Sequence, residues 1–204
     1  MQAVDKDIRQ QILDATQRVV YSRGVSAVRM DELAQDLGMS KKTLYLYFRS
    51  KDELLDAMVD ERHSRHLAGF RAILNDTSLG FMVRLRSMVQ TGLRASSELS
   101  AELLQDMRRN APRLLARFER FRDEQVPNNF RQLLIEGQQL GLLRNDLQMD
   151  IVLDMFLSSI TYSLSPNALH QKTYTLQEAN DTFFSLMFEG ILNEQGRKSW
   201  QAEK

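Results

Sequence analysis

Residues 38–51 have the sequence Gly-Met-Ser-Lys-Lys-Thr-Leu-Tyr-Leu-Tyr-Phe-Arg-Ser-Lys. A glycine shortly before a serine is typical of a turn that leads into a helix, because the serine hydroxyl can accept a hydrogen bond from a free N–H of the first helical turn. Leu44 and Phe48 are four residues apart and therefore lie on one helix face. The stretch predicts a short helix that buries one apolar face and exposes basic residues.

The charge of this stretch differs from that of its neighbours. It carries four basic residues and no acid, whereas acids lie on both sides of it, at positions 31, 32 and 36 and at positions 52, 53 and 56. Residues 1–62 contain ten basic and eleven acidic residues, and the whole chain has zero net charge. Phosphate binding needs a local positive face rather than a positive chain. The pattern fits a DNA-binding helix and, equally, an ordinary solvated helix end.

Two further helices are predicted before this stretch. Apolar stripes with helical spacing predict one helix over 5–23 and another over 30–37, and Gly24 and Gly38 follow them. Two short helices separated by Gly-Met-Ser, the second of which presents basic residues, form the helix-turn-helix layout. Such a layout places its second helix in the major groove of DNA.

The composition favours a helical protein. The chain is 43% apolar and 26% charged, with only three prolines and nine glycines, and no run alternates as a strand would. We therefore predict an all-α fold of about nine helices. The absence of cysteine excludes disulfides and cysteine-ligated metals. Without a signal-peptide core or an apolar run of about 18 residues, we expect a soluble cytoplasmic protein with no membrane partner.

The remaining helices are predicted from caps and apolar spacing. Ser50 and Glu53 have capping-box spacing and predict the start of a long fourth helix. Pro127 should kink or divide a later helix, because proline cannot donate a backbone hydrogen bond. After Glu194 the chain is polar, and we expect a flexible tail over 196–204. The later helices are predicted over 78–97, 101–109, 112–140, 151–165 and 178–194.

Residues 5–60 resemble the DNA-binding domain of the TetR/AcrR family of transcriptional regulators. The resemblance is carried by Leu-Ala before Leu37-Gly38, by the Ser-Lys-Lys-Thr-Leu-Tyr-Leu-Tyr-Phe run from Ser40, and by Ser-Lys-Asp-Glu-Leu-Leu from Ser50. It implies a three-helix helix-turn-helix domain at 1–50, a helical effector-binding and dimerisation domain at 51–195, and the tail at 196–204.

The resemblance also implies a set of DNA contacts. Lys41 and Lys42 lie near the start of the recognition helix, where lysine can donate to guanine O6 and N7. Lys51 matches a phosphate contact at a helix start. Arg29 stands where the family usually has a capping serine or threonine, so it either binds phosphate or lies in solvent. Tyr45 could alternatively pack in the core. The full set is Arg29, Ser40, Lys41, Lys42, Thr43, Tyr45, Tyr47 and Lys51.

The last helices are apolar on nearly every side, over 151–164 and 183–192. A helix that is apolar all round must be buried all round, and pairing with a second copy provides that burial. The resemblance implies the same four-helix dimer interface, and the alternative is the core of a monomer. The predicted interface residues are Met155, Ser159, Tyr162, Phe183, Met187 and Ile191.

An effector pocket is expected among the methionines and phenylalanines of the middle helices, since such side chains suit loosely fitting apolar ligands. Many of them could equally form plain core. His63 and His66 are three residues apart without a third ligand, so we expect a solvated helix, no metal and no cofactor. The candidate pocket residues are Met88, Met107, Phe118, Phe130, Met155 and Tyr162.

The features combine into one functional prediction. We expect a transcriptional repressor that binds a palindromic double-stranded DNA operator as a homodimer and is released by a small, largely apolar effector. A regulator that responds to a protein partner and an activator remain alternatives. A small all-α enzyme is a third, but the sequence contains neither a nucleophile–base motif nor a Gly-rich phosphate loop, so we predict that the protein is not an enzyme.

Overall fold

The structure is a computed structural model that describes residues 2–159 and 173–202. These residues are helical, apart from turns, connecting segments and one isolated bridge between Leu143 and Leu192, which confirms the predicted all-α fold. Within the same residues, no helix is both long and apolar enough to cross a membrane. The helices are α1 (Gln2–Arg23), α2 (Met30–Asp36), α3 (Lys41–Tyr47), α4 (Lys51–Asn75), α5 (Phe81–Ser97), α6 (Ala101–Asn110), α7 (Pro112–Arg120), α8 (Val126–Gln139), α9 (Met149–Ser158), α10 (Leu176–Ile191) and α11 (Glu194–Ala202).

The chain forms two compact units. The first unit consists of Met1–His66 and Leu99–Phe121, and the second consists of Leu67–Glu98 and Arg122–Lys204. The first unit is therefore larger than the predicted DNA-binding domain at 1–50, because α6 and α7 pack into the same core as the helix-turn-helix. One boundary between the units falls inside α4, so this helix contributes residues to both.

The core of the first unit explains why three short helices are stable. Leu44 and Phe48 are almost fully buried, as predicted, and they pack with Ile12 of α1 and Leu33 of α2. Helices of seven residues are marginal in isolation, so burial of this apolar side is what stabilises α2 and α3. Met107 of α6 completes the same core.

Gly38 and Ser40 set the turn between α2 and α3. Gly38 has φ +64°, a left-handed conformation that is easily adopted only without a side chain. Ser40 then accepts the Thr43 N–H with its hydroxyl at 3.0 Å, so it caps α3 as predicted. The direction in which α3 leaves the turn is fixed by these two residues.

Aromatic side chains dominate the core of the second unit. Neighbouring ring centroids lie 4.3–6.4 Å apart along a row that ends at Trp200. Trp200 stacks on Phe188 and also lies beneath the Arg86 guanidinium, 4.3 Å from it. The expected flexible tail is thus corrected: α11 is helical over Glu194–Ala202, because Trp200 gives it an apolar anchor. The row consists of Phe130, Phe156, Phe183, Phe184, Phe188 and Trp200.

The helix geometry changes near Pro127. A π-helical turn, Phe121–Gln125, lies between α7 and α8, and Pro127 lies just after it. A proline nitrogen cannot donate to the helix ladder, and π-helical turns are a known way for a helix to depart from the regular ladder. The long helix expected over 112–140 is therefore continuous over 112–139, with a π-helical turn instead of a division.

Candidate DNA-binding surface and ligand cavity

The exposed side of α3 carries polar and apolar groups together. Lys41 and Lys42 are exposed, Tyr45 is 38% exposed, and Leu46 is 77% exposed. The opposite side holds the buried Leu44. Tyr45 is therefore available at the surface rather than enclosed in the core. Leu46 was not among the predicted contacts, although an exposed leucine on this helix is suited to contact a thymine methyl group.

Lys41 is held by an acid of the preceding helix. Its Nζ lies 2.7 Å from Oδ1 and 2.9 Å from Oδ2 of Asp31 on α2, and 5.9 Å from the centroid of the Tyr45 ring. The hydrogen bond and charge of Asp31 raise the pKa of Lys41 above its ordinary value. Lys41 is thus fully charged at neutral pH, and its charge is balanced locally.

Arg29 occupies the N-cap position of α2 with an extended backbone. A guanidinium has no acceptor, so Arg29 does not cap the helix as a serine would. Its Nε lies 3.5 Å from Glu32 Oε1, and its side chain is largely exposed. The side chain can therefore reach a phosphate, while the first turn of α2 depends on other contacts.

The start of α4 is fixed by reciprocal hydrogen bonds. Ser50 accepts the Glu53 N–H at 3.1 Å, and the Glu53 carboxylate accepts the Arg49 N–H at 2.8 Å. Lys51 follows at the first helical position and is half-buried. Burial lowers the pKa of Lys51, an effect that the nearby Asp106 and Asp52 carboxylates partly oppose. The lysine lies in the first turn of α4, beside backbone N–H groups of the kind that bind anions at helix N-termini.

Asp106 of α6 anchors the turn that leads into α2, a link that the sequence did not indicate. Its Oδ2 accepts the Ser26 N–H at 3.1 Å, and its Oδ1 accepts the Asn110 side-chain N–H at 2.7 Å. Burial opposes ionisation, but the hydrogen bonds from Ser26 and its neighbours hold the pKa of Asp106 below its ordinary value. Gly24, with φ +90°, passes so close that a Cβ there would lie 2.7 Å from Oδ2.

The other three predicted contacts are less available. Thr43 is half-buried, and its hydroxyl lies 2.8 Å from that of Ser40. Tyr47 is also half-buried and packs against the first core. Ser40 itself is exposed but already accepts the N–H that it caps. The predicted contacts with exposed side chains that do not cap a helix are consequently Arg29, Lys41, Lys42 and Tyr45.

His63 is not the solvated residue that we expected. Its ring stacks on Phe121 with centroids 3.9 Å apart and meets Phe118 edge-on at 5.6 Å. Among the described residues, no hydrogen-bond partner reaches its buried Nε2 atom. Burial, with the positive charges of Arg62 and Arg117, lowers the pKa of His63 to about 4. In the described part of the chain, no cluster of three or more suitable side chains could hold a metal ion.

The second unit contains an apolar cavity of about 370 Å³, a volume that includes its open mouth. It lies among α5, α8, α9 and α10, and within the described part of the chain the side chains that line it are all apolar. At its centre the packing leaves room for little more than about one water molecule. The lining residues are Leu85, Val89, Phe130, Leu134, Val152, Leu153, Phe156, Phe184, Met187, Phe188 and Ile191.

The predicted pocket residues do not form one site. Phe130 lines the cavity, and Met88 is buried in the same core without lining it. Met107 and Phe118 belong instead to the core of the first unit, which corrects their assignment to a pocket with Phe130. Met155 is 62% exposed. Tyr162 lies outside the described residues.

The predicted dimer residues also differ in burial and do not all lie at the surface. Met155 is exposed, Ser159 is half-buried, and Phe183 and Met187 are half-buried against the second core. Ile191 is buried within the protomer and lines the cavity, so its placement in an interface is corrected. Ile151 of α9 and Leu186 of α10 are exposed and lie within the predicted apolar stretches, although they were not among the named interface residues.

Comparison with known proteins identifies the N-terminal part of the first unit. Residues 12–58 match the family model described as bacterial regulatory proteins, tetR family. An uncharacterised HTH-type transcriptional regulator of Bacillus subtilis, YvaF, is 27% identical over 180 residues, which cover 88% of this chain and 93% of that protein.

Solved structures share the fold at lower identity. A transcriptional regulator from Saccharomonospora viridis in complex with choline has a TM-score of 0.75 at 18% identity and covers 93% of this chain and 100% of its own. The regulator FadR of Bacillus subtilis in complex with stearoyl-CoA has a TM-score of 0.65 at 18% identity and covers 87% and 96%. Residues 12–58, which contain α2, the capped α3 and the start of α4, are therefore a helix-turn-helix domain of the tetR family of bacterial regulatory proteins.

Proposed function

We propose that this regulator is a homodimeric repressor that binds a near-palindromic operator and leaves it when a largely apolar effector enters the cavity of the second unit. The observation that supports this most strongly is α3. Its apolar side is buried, its N-terminus is capped, and its exposed side offers two lysines, a tyrosine and a leucine. A short rigid helix with such a face fits the major groove.

Each exposed group has a role in this proposal. Lys41 and Lys42 donate to base acceptors, and Leu46 contacts a thymine methyl group. Lys51 and Arg29 bind phosphates on either side of the groove. DNA contact is then assigned to residues 1–50 together with Lys51, and effector binding and dimerisation to residues 51–195.

A second copy is supported by the exposed apolar side chains of α9 and α10. Ile151, Met155 and Leu186 are between 54% and 70% exposed. Ile151 and Met155 are four residues apart and share one face of α9, and exposed apolar faces mark interfaces. In the dimer, two α3 helices would enter successive major grooves about 34–36 Å apart. A near-palindromic operator follows from that symmetry.

The cavity lining favours an effector with an apolar body. Among the described residues no charged side chain lines the cavity, and four of the lining residues are phenylalanines. An acyl chain, as in the stearoyl-CoA bound to FadR, can occupy such a lining. A quaternary ammonium, as in choline bound to the S. viridis regulator, would find aromatic faces but no carboxylate to balance its charge.

Release from DNA then requires differential binding. The effector must bind better to the conformation with low DNA affinity, because a ligand shifts an equilibrium only by its difference in affinity for the two states. Coupling of about 1–3 kcal/mol would weaken operator binding up to about 150-fold. Since the centre of the cavity has room for little more than about one water molecule, its lining side chains must move apart to admit the effector.

The experiment begins with selection of duplexes from a random DNA pool by the full-length protein. We expect a near-palindromic sequence bound by two protomers, measured by mobility shift and sedimentation. A selected site without symmetry, or a protein that is monomeric at micromolar concentration, would contradict the dimer. Failure to select any sequence would contradict DNA recognition itself.

The effector is tested with stearoyl-CoA and choline as probes. Trp200 is the single tryptophan of the chain and stacks on the cavity residue Phe188, so its fluorescence should report on occupation of the cavity. We expect stearoyl-CoA to change this fluorescence and to release the selected duplex. A response to choline without a response to stearoyl-CoA would overturn the apolar effector.

A further inference from the structure

Acids of α2 balance two of the cations that we assign to DNA contact. Both carboxylate oxygens of Asp31 lie within 2.9 Å of Lys41 Nζ, and Glu32 lies 3.5 Å from the Arg29 guanidinium. The first of these pairs is the closer, and it involves the first residue of the recognition helix. In the unbound protein, the charge of Lys41 is therefore not presented alone.

Pairing changes what Lys41 can contribute to binding. Seen from a distance, the ammonium and carboxylate charges cancel, so the pair adds little to the general attraction for the DNA backbone. An unpaired lysine that reaches a phosphate would add about one to the slope of affinity against salt concentration. Asp31 thus removes a sequence-independent contribution at this position.

The pair also orients the ammonium. A lysine ammonium has three N–H donors, and the two Asp31 oxygens together with the Tyr45 ring, 5.9 Å away, limit the directions in which the remaining donor can point. Guanine O6 and N7 are acceptors at defined places in the major groove. A lysine held at its base is better suited to meet them than one that swings freely to a phosphate.

We infer that Asp31 is a specificity-determining residue, which withholds Lys41 from phosphates and directs it to a base edge of the operator. This inference rests on the proposed DNA-binding function. The two side chains are exposed, and an exposed ion pair changes an equilibrium constant by about fivefold at most. Asp31 therefore shifts the balance of Lys41 contacts from phosphate toward a base edge, but it does not exclude phosphate contacts.

The test uses the full-length Asp31→Asn variant and a charge-matched control. Asp60→Asn makes the same change in net charge within the first unit, but Asp60 pairs with Arg117 of α7 rather than with a proposed DNA contact. Dissociation constants are measured for a duplex selected by the wild-type protein and for a shuffled duplex of the same length. Both are followed from about 50 to about 200 mM KCl.

For Asp31→Asn we expect tighter binding of the shuffled duplex by about two- to fivefold, with a salt slope steeper by about one per protomer. Affinity for the selected duplex should rise less or fall, so the ratio of the two affinities decreases. Adding Lys41→Met to Asp31→Asn should remove the gain on the shuffled duplex, because the gain depends on the released ammonium.

Two results would overturn the inference. In the first, Asp31→Asn and Asp60→Asn have the same salt slope and the same ratio of affinities for the two duplexes. In the second, the variant that combines Asp31→Asn with Lys41→Met still binds the shuffled duplex more tightly than the wild type. Both results are distinguishable from failure of the proposed DNA-binding function. If the proposed function is wrong, the wild-type protein itself will select no duplex from the random pool.

Discussion

The recognition surface and the cavity are built in opposite ways. The DNA-facing groups come mainly from one short stretch, in which caps and apolar spacing fix the side that each residue occupies. The cavity is lined by residues from four helices that are separated by up to about a hundred positions along the chain, from Leu85 to Ile191. A surface that must fit DNA of constant shape is encoded locally, whereas a cavity that fits one effector depends on tertiary packing.

Two matched core substitutions give the largest expected effect. Phe48 of the first unit and Phe156 of the second are both at least 94% buried. Truncation of either to alanine should lower the free energy of unfolding by about 3–5 kcal/mol, measured by urea denaturation. Phe48→Ala should also abolish selective DNA binding, because Phe48 anchors the end of α3. Phe156→Ala should instead alter stearoyl-CoA binding while selection of the operator persists.

The control for α3 is Leu46→Ala. Leu46 is exposed, so its truncation should leave the free energy of unfolding within about 0.5 kcal/mol of the wild type, yet it should weaken operator binding. If Phe156→Ala, under conditions where it is folded, lost DNA binding as completely as Phe48→Ala, the two functions would not be separable in the way we describe.

The same contrast explains what the sequence could predict. The Ser40 cap, the burial of Leu44 and Phe48, and the Ser50–Glu53 cap at the start of α4 were all predicted, because each depends on residues within four positions of one another. The packing of α6 and α7 into the same core as the helix-turn-helix was not predicted. The Asp106–Ser26 bond spans 80 positions, and no local pattern indicates which of many exposed acids will make it.

In the second half of the chain, apolar composition did not distinguish one core from another. Met107 and Phe118 resemble Phe130 in chemistry and spacing, yet they pack in a different unit. The packing of the tail could have been predicted from Trp200, because a tryptophan in a polar segment is expected to pack against an apolar partner such as Phe188. The membership of each residue in a core is a property of the tertiary fold.

His63 provides a smaller effect, specific to the first unit. Its folded-state pKa of about 4 lies below the ordinary 6.5, so the folded protein binds fewer protons than the unfolded chain between these values. The free energy of unfolding should therefore be highest above about pH 6.5 and fall as the pH is lowered toward 4. Allowing for the partial exposure of the ring, we expect a loss of about 1–2 kcal/mol.

Urea denaturation between about pH 7 and about pH 4.5 measures this loss. His63→Phe should flatten the dependence relative to the wild type, because an uncharged ring can keep the stack on Phe121. His66→Gln, which retains His63, serves as the control and should preserve the loss. An equal decline in wild type and His63→Phe would show that protonation of other groups dominates in acid.

The smallest expected effect tests whether α6 belongs functionally to the recognition surface. Asp106→Ala removes the acceptor for the Ser26 N–H and for the Asn110 side chain, and each lost bond should cost about 1 kcal/mol of unfolding free energy or less, because the site is partly exposed. The turn before α2 should then exchange its Val25–Ala27 amide hydrogens faster. Operator affinity should fall a few-fold, because Arg29, a proposed phosphate contact, lies two residues after this turn.

Two control variants separate the contributions of the turn. Asp106→Asn, which keeps one acceptor oxygen, should restore most of the affinity. Asn110→Ala should leave the turn in place because the Ser26 bond remains. Faster amide exchange at 25–27 with unchanged operator affinity would show that α6 stabilises the turn without contributing to DNA recognition, and the recognition surface would then be as local as its sequence.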